Sequence, residues 1–309
     1  MIFTFYSYKG GVGRSMALAG IAHILARRGL RVLVIDFDLE APGLERYFFD
    51  GEGCRSIRSQ LGLMDLLQSY QLALSDEAAF EKADFKRLDR FILSAVNVAG
   101  SRSGSVQLMT AGQREPQQKL REYALAVRSF DWQDFFHNWK GDLFFDWLRR
   151  QVTDPNPSVG YDVVLVDSRT GVTEMGGVCA YQLADVAILL CAPNYQNLEG
   201  TRDVVLDFRS DGVQALRQGR PLEILAIPAR LEENHPKRDE FLNTFERELG
   251  VDGLPTILAA NGLSYRKLAL PYLKEFAVEE RLVGDIGSQP TETVIKSFES
   301  LADAMTLLA

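Results

Sequence analysis

The stretch YSYKGGVGRSMAL (6–18) joins an apolar run at the start of the chain, IFTFYS (2–7), to a segment whose apolar residues recur at helical spacing from 18 to 25. The apolar run is rich in β-formers, and Gly29 stands where the helix would end. Between the two lies the glycine-rich sequence KGGVG (9–13), where glycine permits positive φ and close approach to the backbone. A strand, a glycine-rich turn and a helix in this order present successive N–H groups and the positive helix end to one point, which is the arrangement that holds a polyphosphate.

Further apolar runs predict the rest of the sheet. They lack polar alternation, which is typical of parallel strands covered on both faces. The runs are 31–36, 106–110, 162–167, 186–192 and 223–229, with 268–271 a shorter candidate. Helical patterns lie between most of them, so we predict an α/β fold: one doubly wound, mostly parallel sheet with helices on both faces. We expect a single domain over 1–309, with an elaborated region at about 45–160.

The composition excludes several classes of protein. Hydrophobic residues make up 46% of the chain and the formal net charge is -8, so no overall positive field attracts nucleic acid or an anionic membrane. The three cysteines, Cys54, Cys179 and Cys191, lie far apart without CxxC spacing, as expected for thiols in a reducing compartment. No apolar segment is long enough to cross a membrane, and we expect a cytoplasmic protein without a membrane partner.

Two amphipathic segments have a structural and a functional interpretation. Residues 130–148, FDWQDFFHNWKGDLFFDWL, carry aromatic side chains at helical spacing, which predicts core packing, with a docking surface for a partner as the alternative. The last helix, TETVIKSFESLADAMTLLA (291–309), contains a single lysine. A membrane-targeting helix would need a basic face, so we expect this helix to pack on the core.

The phosphate loop departs twice from the general pattern GxxxxGK[ST], because Tyr8 replaces the first glycine and Arg14 replaces the lysine. KGGVG followed by a basic residue and Ser instead resembles the deviant Walker A loop, KGGxGK[ST], of the ParA/MinD family in the SIMIBI class of P-loop ATPases. The resemblance continues in VLVIDFDLEAPGL (32–44), which matches the DxD strand of that family, and in YDVVLVDSRTG (161–171), which matches its Walker B strand. VQLMTAG (106–112) and LALPY (268–272) match two later segments in the same order.

This resemblance implies a site residue by residue. The implied nucleotide-binding residues are Lys9, Gly10, Gly11, Val12, Gly13, Arg14, Ser15, Met16, Arg230 and Pro271. The implied metal-binding residues are Ser15, Asp36 and Asp167, the last two through water, and the implied switch residues are Ser168, Arg169, Thr170 and Gly171. Asp38 is the implied catalytic residue that positions the attacking water. Lys9 matches the signature lysine that reaches the phosphates of the other protomer, which implies a homodimer closed across ATP and Mg²⁺. Lys9 is therefore, with Asp38, the second implied catalytic residue.

Three departures from the family bear on activity. Arg14 keeps the charge of the lysine but is longer and planar, so we expect an ATPase that is active and slow. Ala229 stands where the family has an adenine-reading Asn, which leaves the preference for ATP over GTP open. The sequence DSRTG (167–171) replaces Asp-Thr-Pro-Pro, and Arg169 could pair either with a γ-phosphate or with another residue of the switch region.

We expect a molecular switch in which ATP and Mg²⁺ close a dimer that regulates a partner protein. One alternative is a ParA-like DNA partition ATPase, for which the candidate basic residues are Arg202, Arg209, Arg217, Arg220, Lys237 and Arg238. Acidic neighbours make nucleic acid the less favoured partner. The other alternative is an ATP-dependent ligase of the dethiobiotin or cobyrinate synthase type, which uses the same loop on small carboxylate substrates.

The exact residues of several motifs indicate a KGGVGR-type sub-branch of this family. YSYKGGVGRSMALA, DFDLEAPG, DSRTG and FDWxxFF resemble proteins encoded beside bacterial effector modules. The resemblance implies a regulatory role in signalling or in antiphage (antiviral) defence.

Overall fold

The computed structural model describes residues 1–75, 84–96, 104–156, 160–171, 177–250, 254–272, 274 and 292–309. In that part of the chain, seven strands form one sheet in the order β3-β4-β2-β5-β1-β6-β7. They are β1 (Ile2–Tyr6), β2 (Arg31–Asp36), β3 (Leu93–Val96), β4 (Ser105–Met109), β5 (Val163–Asp167), β6 (Val186–Cys191) and β7 (Glu223–Pro228). Every neighbouring pair is parallel except β3 with β4. The prediction of a mostly parallel α/β sheet is confirmed.

The strand boundaries also agree closely with the apolar runs, apart from two local differences. The edge strand β3 was not predicted, because its sequence LSAV is short and has no distinguishing pattern. The candidate strand 268–271 is only an isolated parallel bridge, in which Pro271 pairs with Leu231 just beyond β7.

Helices cover both faces of the sheet. They are α1 (Arg14–Arg27), α2 (Gly51–Arg58), α3 (Leu63–Leu74), α4 (Gln117–Ser129), α5 (Trp132–Asn138), α6 (Gly141–Val152), α7 (Tyr195–Phe208), α8 (Asp211–Leu216), α9 (Arg238–Leu249), α10 (Thr256–Ala260), α11 (Tyr265–Leu268) and α12 (Glu292–Leu308). Short 3₁₀ turns occur at Leu44–Tyr47, Asp84–Lys86 and Leu88–Arg90, and a π-helix spans Val178–Leu183.

Alternate side chains along each strand build the two halves of the core. Phe3 and Phe5 of β1 face α1 and α12, whereas Ile2 of the same strand faces α3 and α6. Each fully buried side chain of this size contributes about 1.5–3 kcal/mol relative to its exposed state. The sheet therefore has apolar side chains on both faces, which is why its strands read as continuous apolar runs.

The aromatic stretch 130–148 lies mainly in the core. Trp132 is 8% exposed, and Phe135, Phe144 and Phe145 are fully buried beneath the sheet in contact with one another's rings. These four rings are therefore structural. Phe136, Trp139 and Trp147 are half-buried, and a docking surface along this stretch stays a prediction.

The last helix also packs on the core, as expected. Phe298, Leu301 and Met305 are buried in the cluster that contains α1, while Ile295 is 38% exposed. Among the described residues, no helix is both long and apolar enough to span a membrane.

The segment between β2 and β5 carries the extra elements α2 to α6 and the strands β3 and β4. Residues 76–83, 97–103 and 157–159 of the predicted elaboration lie outside the described residues. The helices α3 to α6 pack against the face of the sheet that holds Leu33 and Ile35, beside the carboxyl end of β2, whereas Ile57 of α2 packs on the opposite face.

Candidate nucleotide-binding site

The phosphate loop connects the central strand β1 to α1 at the carboxyl edge of the sheet. Gly11 and Gly13 have φ of 74° and 87°, which is the left-handed region that disfavours other residues. A Cβ at Gly10 would meet no atom within 4 Å, and one at Gly11 would meet only Arg230 Nη1, at 3.7 Å. The glycine surface of the loop is therefore open to solvent, as a cradle for a bulky anion requires.

The other loop residues lie beneath or beside this surface. Val12 is 4% exposed and packs into the core, so it anchors the loop. Lys9, Ser15 and Met16 are half-buried, and the carbonyl of Lys9 accepts a hydrogen bond of 2.9 Å from Ser7 Oγ. The helix α1 begins directly after Gly13, so its first turn faces the same opening.

The two predicted metal-binding carboxylates lie side by side. Asp36 and Asp167 are register partners at the ends of the neighbouring strands β2 and β5, and they are 1% and 2% exposed. Asp36 accepts hydrogen bonds from the N–H groups of Asp38, Gly43 and Leu44 at 3.2–3.3 Å. Burial and the neighbouring charge of Asp167 raise the pKa of Asp36 to about 7.

Arg14 lies against these carboxylates. Its Nη2 is 3.1 Å from Asp38 Oδ2, its Nε donates to Asp167 Oδ1, and its side chain is 6% exposed. Although burial lowers the pKa of Arg14, the charges of Asp167 and Asp38 raise it above the ordinary value. Nη1 is buried and has no hydrogen-bond partner among the described residues. The Arg14 guanidinium, which replaces the usual lysine, is thus paired with the candidate catalytic residue Asp38 and the candidate metal-binding residue Asp167. The sequence alone did not predict this pairing.

The predicted switch segment is fixed to the phosphate loop by the backbone. Gly171 N donates to Ser7 O at 3.2 Å, and Ser168 N donates to Phe5 O at 3.2 Å. Tyr6 Oη also donates to Gly171 O. Ser168 is fully buried, and its Oγ donates to Arg169 O at 3.0 Å, while Thr170 is half-buried.

Arg169 forms one of the two contacts considered for it, and its pairing with a γ-phosphate stays a prediction. Its Nη1 pairs with Glu40 Oε1, so the switch-region salt bridge is present. Glu40 lies in the loop that follows Asp38, so this contact joins the predicted switch segment to the loop that begins at the candidate catalytic residue.

The two late residues predicted on the base side lie near the loop. Arg230 has φ of 56°, donates from Nη1 to Gly11 O, and holds its guanidinium 4.7 Å from the ring centroid of Tyr272. Pro271 precedes Tyr272 and pairs with Leu231. The segment 268–272 therefore lies along the end of β7, next to the phosphate loop.

Tyr8, which replaces a glycine of the general motif, has a packing role that was not predicted. A Cβ at Gly200 of α7 would lie 2.2–2.4 Å from atoms of the Tyr8 ring, so the ring rests directly on the backbone of that helix. In the sequence, Gly200 is the feature that could have indicated this packing. It could be interpreted in that way only after α7 was known to lie beside the phosphate loop.

The candidate basic residues for DNA do not all lie on the surface, although Arg202, Arg209 and Lys237 are exposed. Arg217 is fully buried and donates to the carbonyls of Tyr181, Ala184 and Pro221, so it was wrongly considered for that face. Other members are paired with acids: Arg202 with Glu248 at 3.4 Å, Arg220 with Asp146 at 3.8 Å and Arg238 with Asp239 at 3.8 Å.

The donor set fits Mg²⁺ together with a polyphosphate. Asp36 and Asp167 supply buried carboxylate oxygens, Ser15 supplies a hydroxyl in the first turn of α1, and the open glycine surface leaves room for phosphate. The described residues contain no group of three or more His, Cys, Asp or Glu side chains that could hold a metal ion. Mg²⁺ is commonly held by one or two carboxylates with water and phosphate oxygens, so two carboxylates suffice.

Comparison with known proteins agrees with this geometry. Residues 3–167 match the model of the CobQ/CobB/MinD/ParA nucleotide binding domain, which covers the phosphate loop and both acidic strands. The chain belongs to this family, and its fold is that of the MinD and ParA P-loop ATPases. No curated protein matches the chain.

Solved structures share the fold over the whole length of the chain. The cell division ATPase MinD of Pyrococcus furiosus is 16% identical with a TM-score of 0.59, covering 100% of this chain and 99% of its own. MinD of Pyrococcus horikoshii, complexed with Mg-ADP, is 18% identical with a TM-score of 0.56, covering 98% and 95%. The ATP complex of a McdA variant from Cyanothece is 12% identical with a TM-score of 0.62, covering 99% and 96%.

Proposed function

We propose that this protein is a Mg²⁺-dependent ATPase that binds ATP at residues 9–16 and acts as a molecular switch. The observation that carries the proposal is the open glycine loop between β1 and α1 beside the buried pair Asp36 and Asp167, in a chain of this nucleotide-binding family. The Mg-ADP complex of the similar MinD from Pyrococcus horikoshii supports the same choice of ligand.

Each group of site residues would have a separate role in phosphoryl transfer from ATP to water. The N–H groups of the loop at Gly10, Gly11 and Gly13 would bind phosphate oxygens, with the N-terminus of α1 adding its positive dipole. Ser15, Asp36 and Asp167 would hold Mg²⁺, which neutralises phosphate charge when it is bound. Asp38 would orient the attacking water and accept its proton.

We infer that hydrolysis is slow because Arg14 is shared between two tasks. Its guanidinium pairs with Asp38 and Asp167, and the same group is the candidate to contact the phosphates. Contact of this guanidinium with a phosphate would compete with both ion pairs, which would slow the approach to the reactive arrangement.

We propose that the active form is a homodimer closed across two nucleotides, with Lys9 acting on the phosphates of the other protomer. The position of Lys9 at the solvent side of the loop, half-buried and next to the exposed Gly10, supports this role. A cation supplied across an interface stabilises transferred phosphate as an arginine finger does.

A switch needs a partner, and we propose a protein partner. Solved complexes in the fold class include MinC with MinD of Aquifex aeolicus, at 17% identity and a TM-score of 0.52. The burial of Arg217 and the acidic pairing of its neighbours make a DNA partner the weaker candidate. A role in bacterial antiphage defence rests on the resemblance of the loop and acidic motifs to that sub-branch.

Two measurements on the purified protein test the proposal. Phosphate release with Mg-ATP should be slow and should fall at least about tenfold in Asp38→Asn, because the proton acceptor is lost. Light scattering should give a dimer mass with ATP for the wild type and a monomer for Lys9→Ala. Equal rates in Asp38→Asn and the wild type would contradict the assignment of Asp38, and an unchanged ATP-induced dimer in Lys9→Ala would contradict that of Lys9. Activity that requires a small carboxylic acid would favour a ligase instead.

A further inference from the structure

The backbone on either side of Asp38 is held by hydrogen bonds. Phe37 N donates to Asp167 O at 3.0 Å, and Asp38 N donates to Asp36 Oδ1 at 3.2 Å. Both contacts come from the two acidic strands. Phe37 and Leu39 are 0% and 2% exposed, so the chain around Asp38 enters and leaves a buried environment.

The next contact comes from outside these strands. Tyr123 Oη donates to Leu39 O at 2.6 Å, one residue beyond Asp38. Tyr123 is the one buried residue of α4, a helix of the elaborated region, and is 8% exposed. Burial raises the pKa of the Tyr123 phenol well above its ordinary value, so the phenol keeps its proton and remains a donor.

The ring of Tyr123 is itself fixed. A Cβ at Gly112 would lie 2.8 Å from the ring, so the ring lies against the backbone of the turn after β4. The guanidinium of Arg114 in the same turn lies 5.9 Å from the ring centroid. The phenol oxygen therefore has little freedom to leave the Leu39 carbonyl.

The same turn also holds the far end of the loop that follows Asp38. Arg114 donates to Pro42 O at 3.4 Å and to Glu45 Oε2 at 3.1 Å, and Glu45 Oε1 accepts from Arg58 Nε at 2.6 Å. Glu45 is fully buried, so these two arginines are its neutralising partners. Residues 39–45 are thus held at both ends by the elaborated region.

We propose that Tyr123 is a positioning residue for Asp38: its phenol fixes the Leu39 carbonyl and thereby the direction of the neighbouring carboxylate. The inference rests on the proposed ATPase function. Hydrolysis depends on the placement of the attacking water to within a fraction of an ångström, so a loosened Asp38 slows turnover without weakening nucleotide binding.

Tyr123→Phe removes only the hydroxyl, and Tyr70→Phe is its matched control. Tyr70 is 5% exposed, belongs to the same hydrophobic cluster and donates from Oη to a carbonyl, that of Lys140, at 3.2 Å. Both variants lose one phenol-to-carbonyl hydrogen bond, but only one of the two carbonyls lies beside Asp38. A general loss of stability should therefore occur in both variants, whereas a loss of Asp38 positioning should occur only in Tyr123→Phe.

Two readouts test the proposal. In steady-state phosphate release, Tyr123→Phe should lower kcat about three- to tenfold with KM for ATP unchanged, while Tyr70→Phe should leave both within about twofold, since one neutral hydrogen bond is involved. In hydrogen exchange of the protein without nucleotide, the peptide covering 37–47 should exchange faster in Tyr123→Phe only.

The outcomes separate this inference from the function on which it rests. If the wild type hydrolyses ATP and Asp38→Asn does not, but Tyr123→Phe and Tyr70→Phe have equal kcat, the positioning role is wrong. Unchanged exchange of the 37–47 peptide in Tyr123→Phe would overturn it as well. If the wild type hydrolyses no nucleotide, the proposed function itself fails, whatever the exchange data show.

Discussion

Replacing Arg14 by methionine should destabilise the protein strongly, because Arg14 is the cation that neutralises buried acids. Its side chain is 6% exposed, and that of its partner Asp167 is 3% exposed. Removing one member of a buried pair leaves an uncompensated charge and costs about 3–5 kcal/mol. Asp36, one strand away and 1% exposed, adds to the local negative charge as the pH rises above its pKa of about 7. The loss should therefore fall in this range at pH 7 to 8.

Lysine at position 14 should be intermediate. A single ammonium can pair with Asp167 or Asp38 but does not reproduce the two-pronged contact of the guanidinium, and one lost charge-assisted hydrogen bond costs about 1.5–3 kcal/mol. The double variant Arg14→Met/Asp167→Asn should recover part of the loss, since the orphaned charge is removed with its partner.

Urea unfolding without nucleotide or Mg²⁺ measures these differences. Arg28 is the control, because it stands at the other end of α1 and pairs with Asp303 at 2.8 Å on the surface, with side chains 35% and 55% exposed. Solvent screening makes such a pair worth at most about 1 kcal/mol, so Arg28→Met should be nearly neutral. If Arg14→Met were no more destabilising than Arg28→Met, the pairing of Arg14 with Asp167 and Asp38 would be refuted.

Two further substitutions test the site and the loop. Between pH 4 and pH 8 the wild type should lose about 4 kcal/mol of stability relative to Asp36→Asn, because the pKa of Asp36 rises from 3.8 unfolded to about 7 folded. In that window the folded state holds a proton that the unfolded state has lost, so the stability of the wild type falls as pH rises. If the urea unfolding free energies of the wild type and Asp36→Asn differed by the same amount at every pH, this prediction would be contradicted. Gly200→Ala should destabilise by about 1–3 kcal/mol by overpacking against Tyr8, whereas Gly212→Ala, whose Cβ would meet its nearest atom at 3.9 Å, should not destabilise. Equal melting temperatures for the two alanine variants would show that the ring of Tyr8 does not rest on α7.

The sheet could be predicted because it depends on a local pattern: buried parallel strands are continuous apolar runs. The shared site of Asp36 and Asp167, which are register partners at the ends of two strands, was implied by the family resemblance of those strands and not by the apolar pattern. The antiparallel strand Leu93–Val96 was missed because four residues at a sheet edge carry too little pattern.

The partners of the charged residues could not be predicted. The pairing of Arg14 with Asp38 and Asp167 depends on how the first turn of α1 meets the ends of two strands that are distant in sequence. Arg217 reads as a surface charge, yet its guanidinium is buried among backbone carbonyls at a helix end. Composition and spacing contain no information on either arrangement, because both depend on contacts made only in the folded chain.

The central claim is that the loop at residues 9–16 binds a nucleotide, and the melting temperature with Mg-ATP tests it most directly. At a ligand concentration of about 100 times Kd, binding to the folded state alone adds about 2.7 kcal/mol, or about 4 °C for a chain of this length. Gly10→Asp is the control, since the open space at Gly10 accepts the side chain while its charge repels phosphate. We predict a rise for the wild type and none for Gly10→Asp. No rise with ATP, ADP or GTP, or an equal rise in both proteins, would contradict the claim.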